Sequence, residues 1–111
     1  MESTRDERFE EIKKNWFDVM TNYYRDMAAT TSEPEARAVE DNYHRAEAAF
    51  LDGLAAGLDR NGSAVEQAFS GLRDANDAIA EARAAVVAFV DLLQRLQSAT
   101  KLAVRLLALA A

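Results

Sequence analysis

The chain has 111 residues, enough for one domain with a buried core but not for two. Half of its residues are hydrophobic, and it contains only four glycines and one proline, a composition that favours long helices over sheet. The lack of cysteine excludes disulfides, zinc–thiolate sites and thiol nucleophiles, and one histidine leaves little scope for histidine catalysis. We therefore predict a single all-α domain over residues 1–111, without catalytic residues, cofactor or metal.

The net charge of −6 is unevenly distributed. Residues 1–83 carry 10 basic and 18 acidic side chains, whereas residues 84–111 carry three basic and one acidic. Phosphate contacts need clustered Lys and Arg, so this acidic body disfavours nucleic acid as a partner. It suits a basic protein partner instead. The acids available for such contacts are Glu40, Asp41, Glu47, Asp74, Asp77 and Glu81.

The acidic N-terminus MESTRDERFEE has the pattern of neither a secretory signal nor a basic transit peptide. This favours a cytoplasmic protein, and the alanine-rich composition is typical of bacterial proteins. We also expect no membrane span, because the longest uninterrupted apolar run covers only residues 84–90.

The first predicted helix covers about residues 5–30. Ser3 and Thr4 are possible N-caps, each with an acid three residues later, as in a capping box. Apolar residues then recur at the spacing of one buried helix face. They are Phe9, Ile12, Trp16, Val19, Met20, Tyr23 and Met27. Phe17 and Tyr24 lie one heptad apart at the edge of this stripe, and we predict that both are interface residues.

The second predicted helix covers residues 33–59. It opens with the capping box Ser32-Glu33-Pro34-Glu35, in which proline occupies the first turn, and Asn61-Gly62 supplies a stop signal. Its apolar stripe is Ala36, Val39, Tyr43, Ala46, Phe50, Leu54 and Leu58.

The third predicted helix covers residues 63–110. Ser63-Ala64-Val65-Glu66 resembles a further capping box, and an apolar heptad pattern then continues from Val65 through Val86 to Ala110. An unbroken helix of this length would measure about 70 Å.

Antiparallel registers match the second helix with the third, from Leu58 opposite Val65 to Ala36 opposite Val86. They also match the first helix with the second, from Met27 opposite Ala36 to Phe9 opposite Leu54. These registers predict an antiparallel three-helix bundle whose long third helix leaves residues 90–111 uncovered.

Two other arrangements fit the same pattern. In one, the first helix lies along the C-terminal half of the third, with Ile12 opposite Ala110, and the resulting long hairpin dimerises into a four-helix bundle. In the other, the third helix breaks near Ser98 and its tail folds back.

The C-terminal segment is the predicted interface. Twenty of residues 84–111 are apolar, and the polar residues Gln94, Ser98, Lys101 and Arg105 form one narrow stripe. A helix apolar over most of its surface is normally covered, here by a second copy of the chain, most simply in a dimer. The predicted interface residues in this segment are Val90, Leu92, Leu93, Leu96, Leu102, Val104, Leu106, Leu107 and Leu109.

Glu40, His44 and Glu47 share one flank of the second helix, but one histidine makes a solvated flank a better reading than a metal site. The sequence thus predicts a non-catalytic scaffold or adaptor that self-associates through the C-terminal half of the third helix. Two alternatives are a small acidic inhibitor, of the immunity or anti-defence type, that blocks a toxin or nucleic-acid enzyme, and a peripheral membrane-surface protein that uses the C-terminal helix.

Overall fold

A computed structural model describes residues 2–85 and 87–111 and shows only helices and loops in them. The helices are α1 (Arg5–Thr21), α2 (Tyr23–Ala29), α3 (Glu33–Ala55), α4 (Ser63–Ala84) and α5 (Phe89–Ala110). The prediction of an all-α protein is confirmed, but three predicted helices are replaced by five.

The first predicted helix is interrupted at Asn22, between α1 and α2. Thr4 is the N-cap of α1, and its hydroxyl accepts from the N–H of Glu7 in a complete capping box, as predicted. At Asn22 the backbone leaves helical geometry, with φ −102° and ψ 9°, and the side-chain amide donates to the Asp18 carbonyl. A side chain that supplies local hydrogen bonds of this kind stabilises a bend in the chain.

Helix α3 begins at the predicted place but ends earlier than predicted. The hydroxyl of its N-cap, Ser32, accepts from the N–H of Glu35. The helix ends at Ala55 instead of residue 59, and Leu58 then takes a positive φ of 53° while its side chain is buried. Gly62, with φ 146°, becomes the N-cap of α4, where it adopts a backbone conformation that favours glycine.

The prediction of one continuous helix over residues 63–110 is wrong. Helix α4 ends at Ala84, Ala85 and Ala88 are extended, and α5 begins at Phe89. The chain reverses so that α5 lies antiparallel on α4, where Arg95 donates to the carbonyl of Ala78. Folding back buries the apolar face of α5 within the chain, and this burial explains why the heptad pattern does not produce a single long helix.

The folded-back tail agrees with one of the alternatives drawn from the sequence, but the break does not. Ser98 lies inside α5, about ten residues after the start of that helix. The heptad position predicted for Val86, and its pairing with Ala36, lie outside the described residues.

The helix pairs also differ in part from the prediction. Helix α1 packs against α3, α4 and α5, and α5 packs against α3, whereas α3 and α4 have no extended contact. The predicted register of the second helix against the N-terminal half of the third is therefore wrong, whereas the C-terminal half, now α5, does pack against α3. The first predicted helix does pack against the second, but not in the predicted register. The ring centroids of Trp16 and Tyr43 lie 4.9 Å apart and those of Phe9 and Phe50 lie 5.6 Å apart, whereas Leu54, predicted opposite Phe9, is exposed.

The result is a bundle in which α1 and α4 run in one direction and α3 and α5 in the other. Helix α5 contacts both α1 and α3, and its fully buried Ala99 and Ala103 allow that close approach. At this contact Asn15 of α1 and Thr100 of α5 are hydrogen bonded to each other and buried. The α1–α5 contact was proposed in the long-hairpin alternative, but it forms here through the reversal after α4.

Candidate interaction surfaces

Exposed apolar side chains concentrate along the outside of the α1–α3 pair. We call this surface the apolar face; it consists of Phe17 and Met20 on α1, Tyr24 on α2, and Leu51 and Leu54 on α3. Phe17 is 44% exposed, Tyr24 is 86% exposed and Leu54 is 60% exposed. Several large apolar side chains exposed on neighbouring helices commonly mark a surface that meets a partner.

Packed aromatic rings support the apolar face from behind. Phe50 lies 5.9 Å from Phe17 and links it to the α1–α3 contact. Tyr23 lies 4.6 Å from Tyr43 and 5.5 Å from Tyr24. Partial burial raises the pKa of Tyr23, with a smaller contribution from the carboxylate of Glu40. The apolar face is therefore held by contacts that exist in the single chain.

The predicted interface residues divide into three groups. Phe17, Tyr24, Val90 and Val104 are exposed and available to a partner. Leu92, Leu102, Leu107 and Leu109 are partly buried against the core. Leu93, Leu96 and Leu106 are buried inside the chain, because α5 folds back onto α1, α3 and α4. The chain itself therefore covers the last three, and the exposed apolar residues that α5 offers from this set are Val90 and Val104.

A long groove runs between the parallel helices α3 and α5. Its volume is about 920 Å³, within the range of small-ligand pockets. Its lining from α3 is Pro34, Arg37, Ala38, Asp41, Asn42, Arg45, Ala48, Ala49 and Asp52, and from α5 Gln97, Thr100, Lys101, Val104 and Leu107. We call it the α3–α5 groove.

Asn42 is the unusual residue of the α3–α5 groove. It is 5% exposed, and its side-chain amide has no hydrogen-bond partner among residues 2–85 and 87–111. No fully enclosed side-chain polar atom in this part of the chain lacks a partner, so the Asn42 amide reaches solvent through the groove. The amide offers two N–H donors and a carbonyl acceptor to whatever enters.

The rim of the groove carries charges of both signs. Two cations, Arg45 and Lys101, and two anions, Asp41 and Asp52, line this rim. In the described part of the chain, none of the four has an oppositely charged group within 4.0 Å. Arg37 instead pairs with Glu33 along α3. The groove is therefore lined by small apolar side chains next to Asn42, and its rim carries charges of both signs.

The acidic residues predicted to meet a basic partner do not form one surface. Glu40, Asp41 and Glu47 lie on α3, whereas Asp74, Asp77 and Glu81 lie on α4, and these two helices do not pack together. On the exposed flank of α3, Nε2 of His44 lies 3.8 Å from Oε1 of Glu40. Over the described residues, no group of three acidic or histidine side chains is placed to hold a metal ion.

Two arginines, the buried Arg8 and the partly buried Arg83, hold the two ends of the bundle together, and neither was singled out in the sequence. Arg8 bridges the start of α1 to the loop after α3 and to Glu66 at the start of α4. Arg83, at the end of α4, is bidentate to both Asp18 and Asp26. Partial burial by itself lowers the pKa of Arg83. The hydrogen bonds and charges of Asp26 and Asp18 raise that pKa by a larger amount, so the net shift is upward and the side chain stays charged. Both clusters are structural, since their donors and acceptors are used within the chain.

Within the described residues, no helix combines the length and the apolar character needed to cross a membrane. Comparison of the chain with protein-family models, with curated proteins and with solved structures found no match. The function is therefore inferred from the residues of this chain alone.

Proposed function

We propose that this protein is a non-catalytic interaction module that self-associates, and that two copies meet through their apolar faces. The observation that carries the proposal is the exposure of Phe17, Met20, Tyr24, Leu51 and Leu54 on α1, α2 and α3. The self-association predicted from the sequence is thus kept, but the proposed interface is moved from the C-terminal segment to α1, α2 and α3.

The chemistry of the apolar face suits a second copy. A two-fold dimer brings the same patch of each copy together, so apolar side chains that are half exposed in the single chain bury one another. Aromatic side chains contribute most to such contacts because they bury a large area with few rotatable bonds. The edge of the apolar face carries both signs of charge. Nζ of Lys13 lies 5.7 Å from the centroid of the Phe17 ring, and the same ammonium group forms an ion pair with Glu10. Such an edge tolerates a copy of itself.

The test is sedimentation equilibrium of the wild-type protein and of the double variant Phe17→Glu, Leu54→Glu, from low micromolar to submillimolar concentration. We expect a monomer–dimer equilibrium for the wild type. The double variant should weaken the dimer at least tenfold, about 1.4 kcal/mol, because each new carboxylate would be buried in the interface.

Val90→Glu is the matched control, because Val90 is also an exposed apolar residue, at 54%, but lies at the start of α5. It should leave the dimer unchanged, and helical circular dichroism should show that all variants remain folded. A wild type that stays monomeric over the whole concentration range would refute the proposal, as would equal weakening by Val90→Glu.

A further inference from the structure

We infer that the α3–α5 groove is a binding site for an extended peptide segment of a partner protein, one that carries at least one acidic side chain and pairs a main-chain amide with Asn42. This site lies on the flank of α3 that faces α5 and uses none of the residues of the apolar face. It does not depend on self-association.

The unpartnered amide of Asn42 is the first argument. The residue is 5% exposed and its amide opens only to the groove, so a ligand that enters can take up its two donors and its acceptor in place of solvent. A peptide bond presents one N–H and one C=O, which complement the carbonyl and the NH₂ of the asparagine side chain. Neighbouring Thr100 does not compete for the Asn42 amide, because its hydroxyl is engaged by Asn15.

The shape of the groove is the second argument. Ala38, Ala48 and Ala49 line the α3 side, and such small side chains let a main chain approach closely. Both walls are present from Gln97 to Leu107 on α5, a rise of about 15 Å along the helix. At about 3.3 Å per extended residue, this length takes four to five residues of a peptide. Val104 and Leu107 offer an apolar wall for one of its side chains.

The charges of the rim are the third argument. Arg45 and Lys101 offer cations to an acidic side chain, and their lack of carboxylate partners within the described chain leaves them available. Asp41 and Asp52 on the same rim repel a polyanion, which disfavours nucleic acid and anionic lipid. A rim of mixed sign suits a peptide, in which acidic side chains and main-chain N–H groups occur together.

The experiment uses an array of N-acetylated pentapeptide amides that vary acidic, basic, apolar and neutral polar residues at every position. Fluorescently labelled full-length protein is the probe, and the peptides that bind are then measured in solution by anisotropy. We expect the bound peptides to be enriched in acidic residues. The dissociation constant should rise at least tenfold for Asn42→Leu and for the charge reversal Arg45→Glu.

Two further variants separate loss of the site from loss of the fold. Ala48→Trp fills the groove from an exposed position and should abolish binding, whereas Ala80→Trp, on the exposed side of α4, should not change it. Asn42→Leu should leave the thermal unfolding midpoint unchanged or raised, because the amide it removes makes no hydrogen bond within the described chain.

The inference is overturned if no peptide of the array binds above background, or if binding is unchanged by both Asn42→Leu and Ala48→Trp. It is also overturned if basic peptides bind as well as acidic ones. The double variant Phe17→Glu, Leu54→Glu should lose the dimer but still bind peptide. The groove variants should lose peptide binding but still form the dimer, so the inference and the proposed function can fail independently.

Discussion

Arg8 shows how one residue can hold three separate parts of the chain. Its side chain is 1% exposed, and it is the only buried arginine in the described residues. A guanidinium presents five donors in a fixed geometry, and all of its acceptors here come from different residues. The acceptors are Ser3 Oγ, the carbonyls of Leu58 and Arg60, Asn61 Oδ1 and Glu66 Oε2. The loop from α3 to α4, with its left-handed Leu58, is thereby tied to α1.

Glu66 completes this cluster and makes the stability of the protein depend on pH. The N–H of Ser3 donates to its carboxylate, and together with the Ser3 hydroxyl and Arg8 it holds the pKa of Glu66 below the ordinary value of 4.5 despite partial burial. A depressed pKa means that the carboxylate stabilises the folded state above the unfolded pKa, and that this contribution is lost as the pH falls through the folded pKa.

We therefore predict that Glu66→Gln is less stable than the wild type at about pH 7, and that the difference shrinks when the pH is lowered to about 3. Urea unfolding followed by circular dichroism at both pH values measures it. Glu33→Gln is the control, because Glu33 is an exposed residue paired only with the exposed Arg37, and its effect should be small at both pH values. An effect of Glu66→Gln that is equally large in acid would contradict the prediction.

The segment between α4 and α5 lacks the residues that usually end one helix and start the next. No glycine or proline occurs from Ala84 to Phe89, and Ala88, the N-cap of α5, provides no side-chain hydrogen bond. The break is stabilised from outside, by the burial of Leu93, Leu96 and Leu106 and by Arg83, whose ion pairs hold the end of α4 against α1 and α2. Local sequence alone would continue the helix.

A better cap at Ala88 should therefore stabilise the reversed chain. Ala88→Ser places a hydroxyl at the N-cap, three residues before Asp91, and should raise the free energy of unfolding by about 0.5–2 kcal/mol. Ala80→Ser, in the exposed middle of α4, should instead lower it by a few tenths, about the difference in helix propensity. Urea unfolding of both variants gives the comparison. A destabilising effect of Ala88→Ser would indicate that α4 and α5 form one helix in solution.

At the scale of the whole molecule, the reversal decides the shape. The described chain has a radius of gyration of 13.8 Å and extends 42 Å along its longest axis. A continuous helix over residues 63–110 would alone measure about 70 Å. We predict that small-angle X-ray scattering gives a compact particle whose radius of gyration lies a little above the 13.8 Å of the Cα atoms, because side chains and the hydration layer add to it.

The scattering is measured on the double variant Phe17→Glu, Leu54→Glu, so that self-association does not enlarge the particle. Val90→Glu, which should still form the dimer, shows how much self-association adds to the measured size. A maximum dimension near 70 Å in the monomer would contradict the reversal and support the long helix.

Of the candidate surfaces, the sequence predicted only the parts that depend on local periodicity. Phe17 and Tyr24 were identified because they lie at the edge of a helical stripe, and both are exposed. The pattern could not show that Leu54, expected in a core, would lie outside it, because this depends on which helix covers α3. Asn42 and Lys101 meet at one groove only because α5 folds back beside α3, and no local signal connects two residues so far apart in sequence.

What the sequence determined by itself was the helical class, the starts of α1 and α3 and the apolar stripes through which these two helices pack, because caps and apolar periodicity act within a few residues of the chain. Tertiary structure alone decided the break after Ala84 and the pairing of α5 with α1 and α3. A heptad pattern specifies an apolar face but not the partner of that face, so every pair of such helices offers a plausible register. The choice among them was made by burial, since only the reversed chain covers α5 without a second molecule.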